Sequence, residues 1–253
     1  MGAKQFVDFQ KHYRADKMPG GETLALMTQK ECFQSVGISA QAIKRNFNKF
    51  LERLLDLEFE IYKREEKKCS VEIIKKALED GILTGSKDFA DFFEKNYSAF
   101  WELFLSISQS RKTRAGRSFE NHLKFLFEKL GYPYDKQTEL NGTVDYLIPS
   151  EEVFRKNRTV CVLISVKRTL RERWRQVVSE LKSTEAGKIY LLTADKDIAL
   201  EKIKEMRKHN INLVVWDKVK NTKFDNEATV IGFSEFVQTD LPASRKMWER
   251  FVK

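Results

Sequence analysis

Seven residues, Val160-Cys161-Val162-Leu163-Ile164-Ser165-Val166, hold six apolar side chains and one serine before the chain turns to Lys167-Arg168. An apolar run this short, bounded by charge, reads as a strand in a sheet covered by helices. Similar short runs occur at 145–148, 188–193 and 211–216, and helix-like stretches at 171–182 and 198–209 separate the later ones. Strand, strand, helix, strand, helix, strand is an α/β pattern with helices covering the sheet.

The first hundred residues read differently. Residues 40–63 place Ile43, Phe47, Phe50, Leu51, Leu54, Leu55 and Leu57 at helical spacings, and 71–78 and 88–107 continue the pattern. Gly20-Gly21, Gly81 and Gly85 mark turns. A further helix is expected over 118–130, stopped by Gly131. The expected division is therefore a mainly helical N-terminal region, 1–108, and an α/β core, 109–253.

Hydrophobic residues make up 42% of the 253-residue chain, enough for a sizeable core, and the formal charge is +9. A basic balance favours a polyanionic partner, because Lys and Arg displace counterions from phosphates. Cys32, Cys69 and Cys161 are far apart and form no C-x-x-C pair, and the three histidines form no metal-ligand pattern. That argues against a zinc site and for free buried thiols in a reducing compartment. With no signal-peptide layout and no apolar run approaching 18 residues, a cytoplasmic protein is expected.

Hydrolysis of a phosphodiester without a covalent intermediate needs carboxylates to hold a divalent cation, an oriented water, and a cation to offset the extra transition-state charge. Asp145 enters a strand behind Gly142, Lys167 ends the next strand 22 residues later, and Glu180 follows 13 residues after that, inside the predicted helix. Each alone reads as a solvated surface residue. Together they supply hard oxygen ligands suited to Mg²⁺ and a lysine beside them.

Two basic elements accompany this set. Arg171-Glu172-Arg173 opens the predicted helix, in a stretch (160–182) where six basic residues stand against two acidic, a net +4. Arginine can bond O6 and N7 of guanine, and a carboxylate can accept from the amino group of cytosine, so the triplet could read adjacent G·C pairs. A surface helix laced with ion pairs is the alternative, although Arg171 and Arg175, one turn apart, repel. The second element is Gln109 with Arg111, Lys112, Arg114 and Arg117, directly before a helix for which Ser118 is a plausible N-cap. With Arg168 these cations suit DNA phosphates. Glu120, in the first turn, either complements the helix dipole or adds a carboxylate to the metal site.

These motifs resemble the type II restriction endonucleases that recognise CC–GG sequences, the group of EcoRII, PspGI and SsoII. The resemblance covers roughly residues 105–195. It implies a restriction-endonuclease-like PD-(D/E)XK fold, α/β leaning toward α+β with a mixed central sheet flanked by helices, in which the acidic residue two before the lysine is missing, here Ser165, and a Glu from the next helix replaces it, here Glu180. By the same resemblance Asp145 and Glu180 would ligate Mg²⁺, Lys167 would help activate water, and Glu120 would complete the catalytic set. Arg171, Glu172 and Arg173 would read the CC/GG pairs, and Gln109 would lie at the central base pair, with the central nucleotides flipped out of the stack. A homodimer is implied, cutting double-stranded DNA of the CCNGG or CCWGG type before the first C, with a DNA methyltransferase as its functional partner. Two other readings stay open: a structure-specific repair or resolving nuclease of the same fold, and a non-catalytic DNA-binding protein, to which residues 36–43 lend a faint helix-turn-helix pattern.

Overall fold

A computed structural model describes residues 3–33, 39–139, 143–170 and 186–252. The predicted helix over 171–182 lies outside the described residues. The chain groups into two compact units interleaved along the sequence: Met1–Gln34 with Leu54–Asn121, and Ser35–Arg53 with His122–Lys253.

The first unit is helical. It contains α1 (Ala3–Lys17), α2 (Gly21–Phe33), most of α3 (Ala40–Glu79), α4 (Phe89–Lys95) and most of α5 (Tyr97–Lys129). Helix α3 runs well past the expected end at residue 63, for no Gly or Pro interrupts it. Pairs such as Lys68–Glu65 at 3.2 Å and Lys76–Asp80 at 3.0 Å lace its polar side. It kinks at Asn46, whose side chain donates to the Ala42 carbonyl at 3.2 Å. Gly81, at φ +68°, ends the run. Asp88 caps α4 by accepting from the Asp91 amide at 2.9 Å, and Asn96 ties the α4–α5 turn to both backbone groups of Thr84. The core of this unit gathers Phe6, Leu24, Ile61, Ile73, Ala99 and Leu103.

Helix α5 corrects one expectation. Residues 108–117 do not precede a helix; they lie inside one, and Ser118 is a buried helical residue rather than an N-cap. Gly116 costs about 1 kcal/mol relative to Ala there, which the arginine, lysine and leucine formers around it offset. The 108/109 boundary thus falls within a continuous helix. The helix ends at Lys129, and Gly131, at φ +67°, turns the chain as the sequence indicates.

The second unit carries a six-stranded sheet in the order β1-β2-β3-β4-β5-β6. Its strands are β1 (Asp135–Glu139), β2 (Thr143–Ile148), β3 (Val162–Lys167), β4 (Lys188–Thr193), β5 (Ile211–Val215) and β6 (Val230–Gly232). The first three pair antiparallel and β3 to β6 pair parallel. The four expected strands are present; β1 and β6 extend the sheet at either edge. Helix α6 (Glu151–Lys156) links β2 to β3, α7 (Leu200–Lys208) links β4 to β5, and α8 (Asp217–Lys223) links β5 to β6. A last helical run follows β6 and ends in α9 (Leu241–Trp248). Phe127 stacks on Phe47 and meets Tyr146 edge-on, so the end of α5 and the start of α3 cover the sheet. Cys69 and Cys161 are buried, and burial pushes the Cys161 thiol up to about 12; Cys32 is only half-buried.

Gly187 sets the start of β4. Its amide donates to the Arg158 carbonyl at 3.2 Å, and a Cβ there would meet the Thr159 carbonyl oxygen at 1.8 Å. Backbone cannot yield that distance without moving β4 against β3. Gly187→Ala should therefore destabilise the chain by about 3 kcal/mol, read as a lowered urea midpoint, whereas Gly85→Ala, which meets nothing, should not.

Candidate active site

Strands β2 and β3 build the centre of the site. Their register sets Tyr146 opposite Ile164, which brings Asp145 level with Ser165. The Asp145 carboxylate crosses to β3 and accepts, through Oδ2, from the Val166 amide at 2.6 Å and from the Ser165 hydroxyl at 3.2 Å. Charge-assisted bonds of this kind are stronger than neutral ones. Ser165 is buried, while Asp145 and Lys167 are half-buried. Lys167 follows Ser165 by two, so it lies on the same sheet face, one diagonal step from Asp145, a spacing of about 7–8 Å between such Cα atoms. Adjacent strand ends therefore present one fixed carboxylate and one ammonium.

Ser165 has a positive role here. Where a second carboxylate would stand, a hydroxyl donates to the first. Two carboxylates at that distance would repel unless a cation lay between them; the serine holds Asp145 in place without one.

The chain beyond Lys167 is clamped from β4 and α7. The Leu170 amide donates to Asp195 Oδ2 at 2.8 Å, the Thr193 hydroxyl donates to the Arg168 carbonyl at 3.3 Å, and Lys202 Nζ donates to the Leu170 carbonyl. Leu170 is buried, so this exit is anchored by packing as well as by polar contacts. Asp195, Thr193 and Lys202 were not among the expected site residues. The one available signal was polar residues directly after a buried strand.

Arg171, Glu172, Arg173 and Glu180 lie outside the described residues. Among the described residues, no group of three or more His, Cys, Asp or Glu converges on a metal position. The described share of the donor set still fits a hard divalent cation: both bonds to Asp145 fall on Oδ2, and Oδ1 takes none from the described residues.

Glu120 and the second basic element lie on α5, in the helical unit. At 100° per residue, Gln109, Lys112, Arg117 and Glu120 fall on one side of the helix and Arg111 and Arg114 on the other. Gln109, Lys112 and Arg117 are exposed and Glu120 is half-buried. Arg111 pairs with the buried Glu66, its Nε donating to Oε2 at 3.0 Å. Arg114 donates to the Pro19 carbonyl at 2.6 Å and lies over the Tyr62 ring. Tyr62 donates to Glu66 at 2.5 Å, and burial, reinforced by that bond, pushes its phenol up to about 12.

This mixed sheet, antiparallel on one side and parallel on the other, with a carboxylate and a lysine at neighbouring strand ends, is the restriction-endonuclease-like PD-(D/E)XK architecture. It is similar to the structure of metal-depleted Ecl18kI in complex with uncleaved DNA, with TM-score 0.84 and 25% identity over 97% of this chain and 86% of that one. It shares the fold of a PspGI–substrate DNA complex at TM-score 0.64 and 19% identity, over 92% of this chain and 94% of that one. The family described as EcoRII C terminal matches residues 70–237, and the chain belongs to it. It is 32% identical over 166 residues to the type II restriction enzyme SsoII of Shigella sonnei, covering 62% of this chain and 54% of that protein. It is 31% identical over 173 residues to the type II restriction enzyme EcoRII of Escherichia coli, covering 65% and 38%. The matches thus span about half the length of SsoII and less of EcoRII.

Two outcomes follow from the contacts. Arg111→Ala leaves Glu66 buried without its cation and should cost about 1–3 kcal/mol, discounted because the arginine is half exposed; Lys112→Ala should be neutral in the same urea titration. Tyr62 is raised in the folded chain, so its neutral phenol adds stability that is complete below its ordinary value of 10 and is lost as pH rises toward about 12. Over that window wild type should lose stability relative to Tyr62→Phe; parallel curves would contradict the assignment.

Proposed function

We propose that this chain is a type II site-specific deoxyribonuclease that hydrolyses double-stranded DNA at a CCNGG or CCWGG sequence. It cuts before the first C of each strand and leaves 5′ overhangs. The observation that carries this reading is Asp145, fixed by Ser165 and the Val166 amide at the strand end that bears Lys167. Membership of the EcoRII C-terminal family and likeness to SsoII and EcoRII support it.

The roles follow from chemistry. Asp145 and Glu180 would hold Mg²⁺, with Glu120 a further member of the catalytic set. When bound, the ion supplies charge to offset the phosphate and lowers the pKa of a coordinated water. The backbone amide and the serine keep Asp145 oriented before DNA arrives, so little reorganisation is left for the reaction. Lys167 orients the attacking water and stabilises charge on the phosphate. Arg171, Glu172 and Arg173 read the CC/GG edges in the major groove. Gln109 lies at the central pair, whose nucleotides are flipped out. Lys112, Arg117 and Arg168, with Arg111 and Arg114 where their internal contacts allow, meet phosphates. A palindromic target calls for a two-fold symmetric homodimer. Among the described residues no helix is long and apolar enough to cross a membrane; a cytoplasmic enzyme working beside a DNA methyltransferase completes the reading.

Digestion of a mapped plasmid with Mg²⁺ tests it. Discrete fragments whose sequenced ends share one CC–GG site are expected. A smear, no cleavage by folded protein, or preference for branched over linear duplex would overturn it. Lys167→Ala and Asp145→Asn should each slow cutting at least ~10²-fold while specific binding persists. Arg173→Ala should instead weaken specific binding by about 1–3 kcal/mol and leave nonspecific binding nearly unchanged.

A further inference from the structure

Away from the catalytic strands, the second unit holds a cavity of about 520 Å³ that hydrolysis of DNA does not use. Lys44 near the start of α3 and Arg245 and Lys246 of α9 line it, against one carboxylate, Glu249. Leu130, Val237 and Pro242 give it an apolar wall, and Tyr132 completes it. Tyr132 comes three residues before β1, and β1 begins opposite Leu147, where β2 is ending and β3 starting. The length of β3, roughly 17 Å, separates that end of the sheet from Lys167. The cavity is therefore no part of the catalytic centre.

We propose that this cavity binds a nucleoside phosphate. Its donors are those a phosphate needs. Among the described residues Lys44 and Lys246 pair with no carboxylate. Arg245 lies over the rings of Tyr132 and Trp248, at 4.7 and 5.7 Å, and its Nη2 donates to the Gly131 carbonyl. Glu249 Oε1 stands 3.6 Å from its Nε, and its Nη1 bonds nothing among the described residues. Tyr132 is only 7% exposed, yet its hydroxyl makes no hydrogen bond among the described residues. Burial pushes this phenol up, although Arg245 pulls it down, so it stays a donor at neutral pH. A buried hydroxyl without a partner is costly, and a phosphate oxygen would satisfy it. The first turn of α3 adds to the field. It carries no acidic residue, and Ser39 caps only the Ala42 amide, at 3.1 Å, which leaves the amides of Ala40 and Gln41 without an acceptor among the described residues. Size and wall select the rest of the ligand. A cavity of roughly 300–1,000 Å³ with apolar walls and a few placed polar groups takes an organic molecule, not a lone ion. Duplex DNA, by contrast, spreads over roughly 1,000 Å² or more of protein surface, which one confined cavity does not offer.

The full chain is titrated calorimetrically with ADP in buffer containing EDTA. One ADP per chain is expected, bound at least ~10-fold more tightly than inorganic phosphate because the apolar wall adds to the anion contacts. Lys44→Ala and Lys246→Ala should each weaken ADP about 10-fold, and Tyr132→Phe, which keeps the ring beneath Arg245, about 5-fold, with urea midpoints unchanged. Asp145→Asn and Lys167→Ala should bind ADP as wild type does. Irradiated 8-azido-ADP should label wild type on peptides holding Leu130, Val237 or Pro242. No binding of ADP, equal affinity for ADP and phosphate, or folded Lys44, Lys246 and Tyr132 variants that bind like wild type would each overturn the proposal. So would loss of binding in the Asp145 or Lys167 variant, or label on other peptides, which would move the ligand elsewhere. Displacement of the label by a duplex lacking any CC–GG site would make the cavity a DNA contact and overturn it as well. Specific plasmid cleavage is read separately, so the endonuclease and the nucleotide site stand or fall independently.

Discussion

The bond from the Val166 amide to Asp145 is the constraint on which the rest of the site depends. It joins the second and third strands where the sheet changes from antiparallel to parallel pairing. At 2.6 Å it ties a carboxylate to backbone rather than to another flexible side chain, so the acid moves only if the sheet moves. The parallel neighbour holds β3 from the other side, level for level from Val162–Lys188 to Lys167–Thr193. Gly187 lets that neighbour begin close enough to do so. Lysine, acid and sheet register are therefore one object.

Much of that object could be read in the residues, for physical reasons. A strand buried on both faces must be largely apolar, and Val160 to Val166 is, with Ser165 its one polar residue. The alternation that places Ser165 and Lys167 on one side follows from the period of a strand. What could not be read was the partner of Ser165: a serine in an apolar strand has many uses, and only the register with β2 shows that it donates to Asp145. The edge strands were hidden for opposite reasons. Asp135–Glu139 has no apolar residue in it, as an outer antiparallel strand tolerates. Val230–Gly232 is too short for a periodic signal.

Helix α5 was misjudged because its charge pattern looks like a loop. Arg111 to Arg117 holds four cations and a glycine, a composition that suggests an exposed turn before a helix. The helix passes straight through because two of those cations have structural work. Arg111 neutralises Glu66, which would be costly to bury alone, and Arg114 packs on Tyr62 and caps a carbonyl near α2. The remaining side of the helix keeps Gln109, Lys112, Arg117 and Glu120. Sequence spacing alone shows this division once the helix is granted, but nothing local grants it.

The chain after Lys167 shows how reading and cutting could be joined. Leu170 is held at both backbone groups, by Asp195 and by Lys202, and its side chain is buried. The base-reading triplet proposed for the next three residues would follow this fixed point. A displacement at Leu170 would be felt at Lys167, three residues away, because Leu170 cannot yield without breaking its hydrogen bonds to Asp195 and Lys202. A wrong base that left Arg171 or Arg173 unpaired would thus act against the same backbone that positions the lysine. Discrimination would then fall on the rate of cutting as well as on affinity, because strain at the lysine is felt most where the transition state needs it.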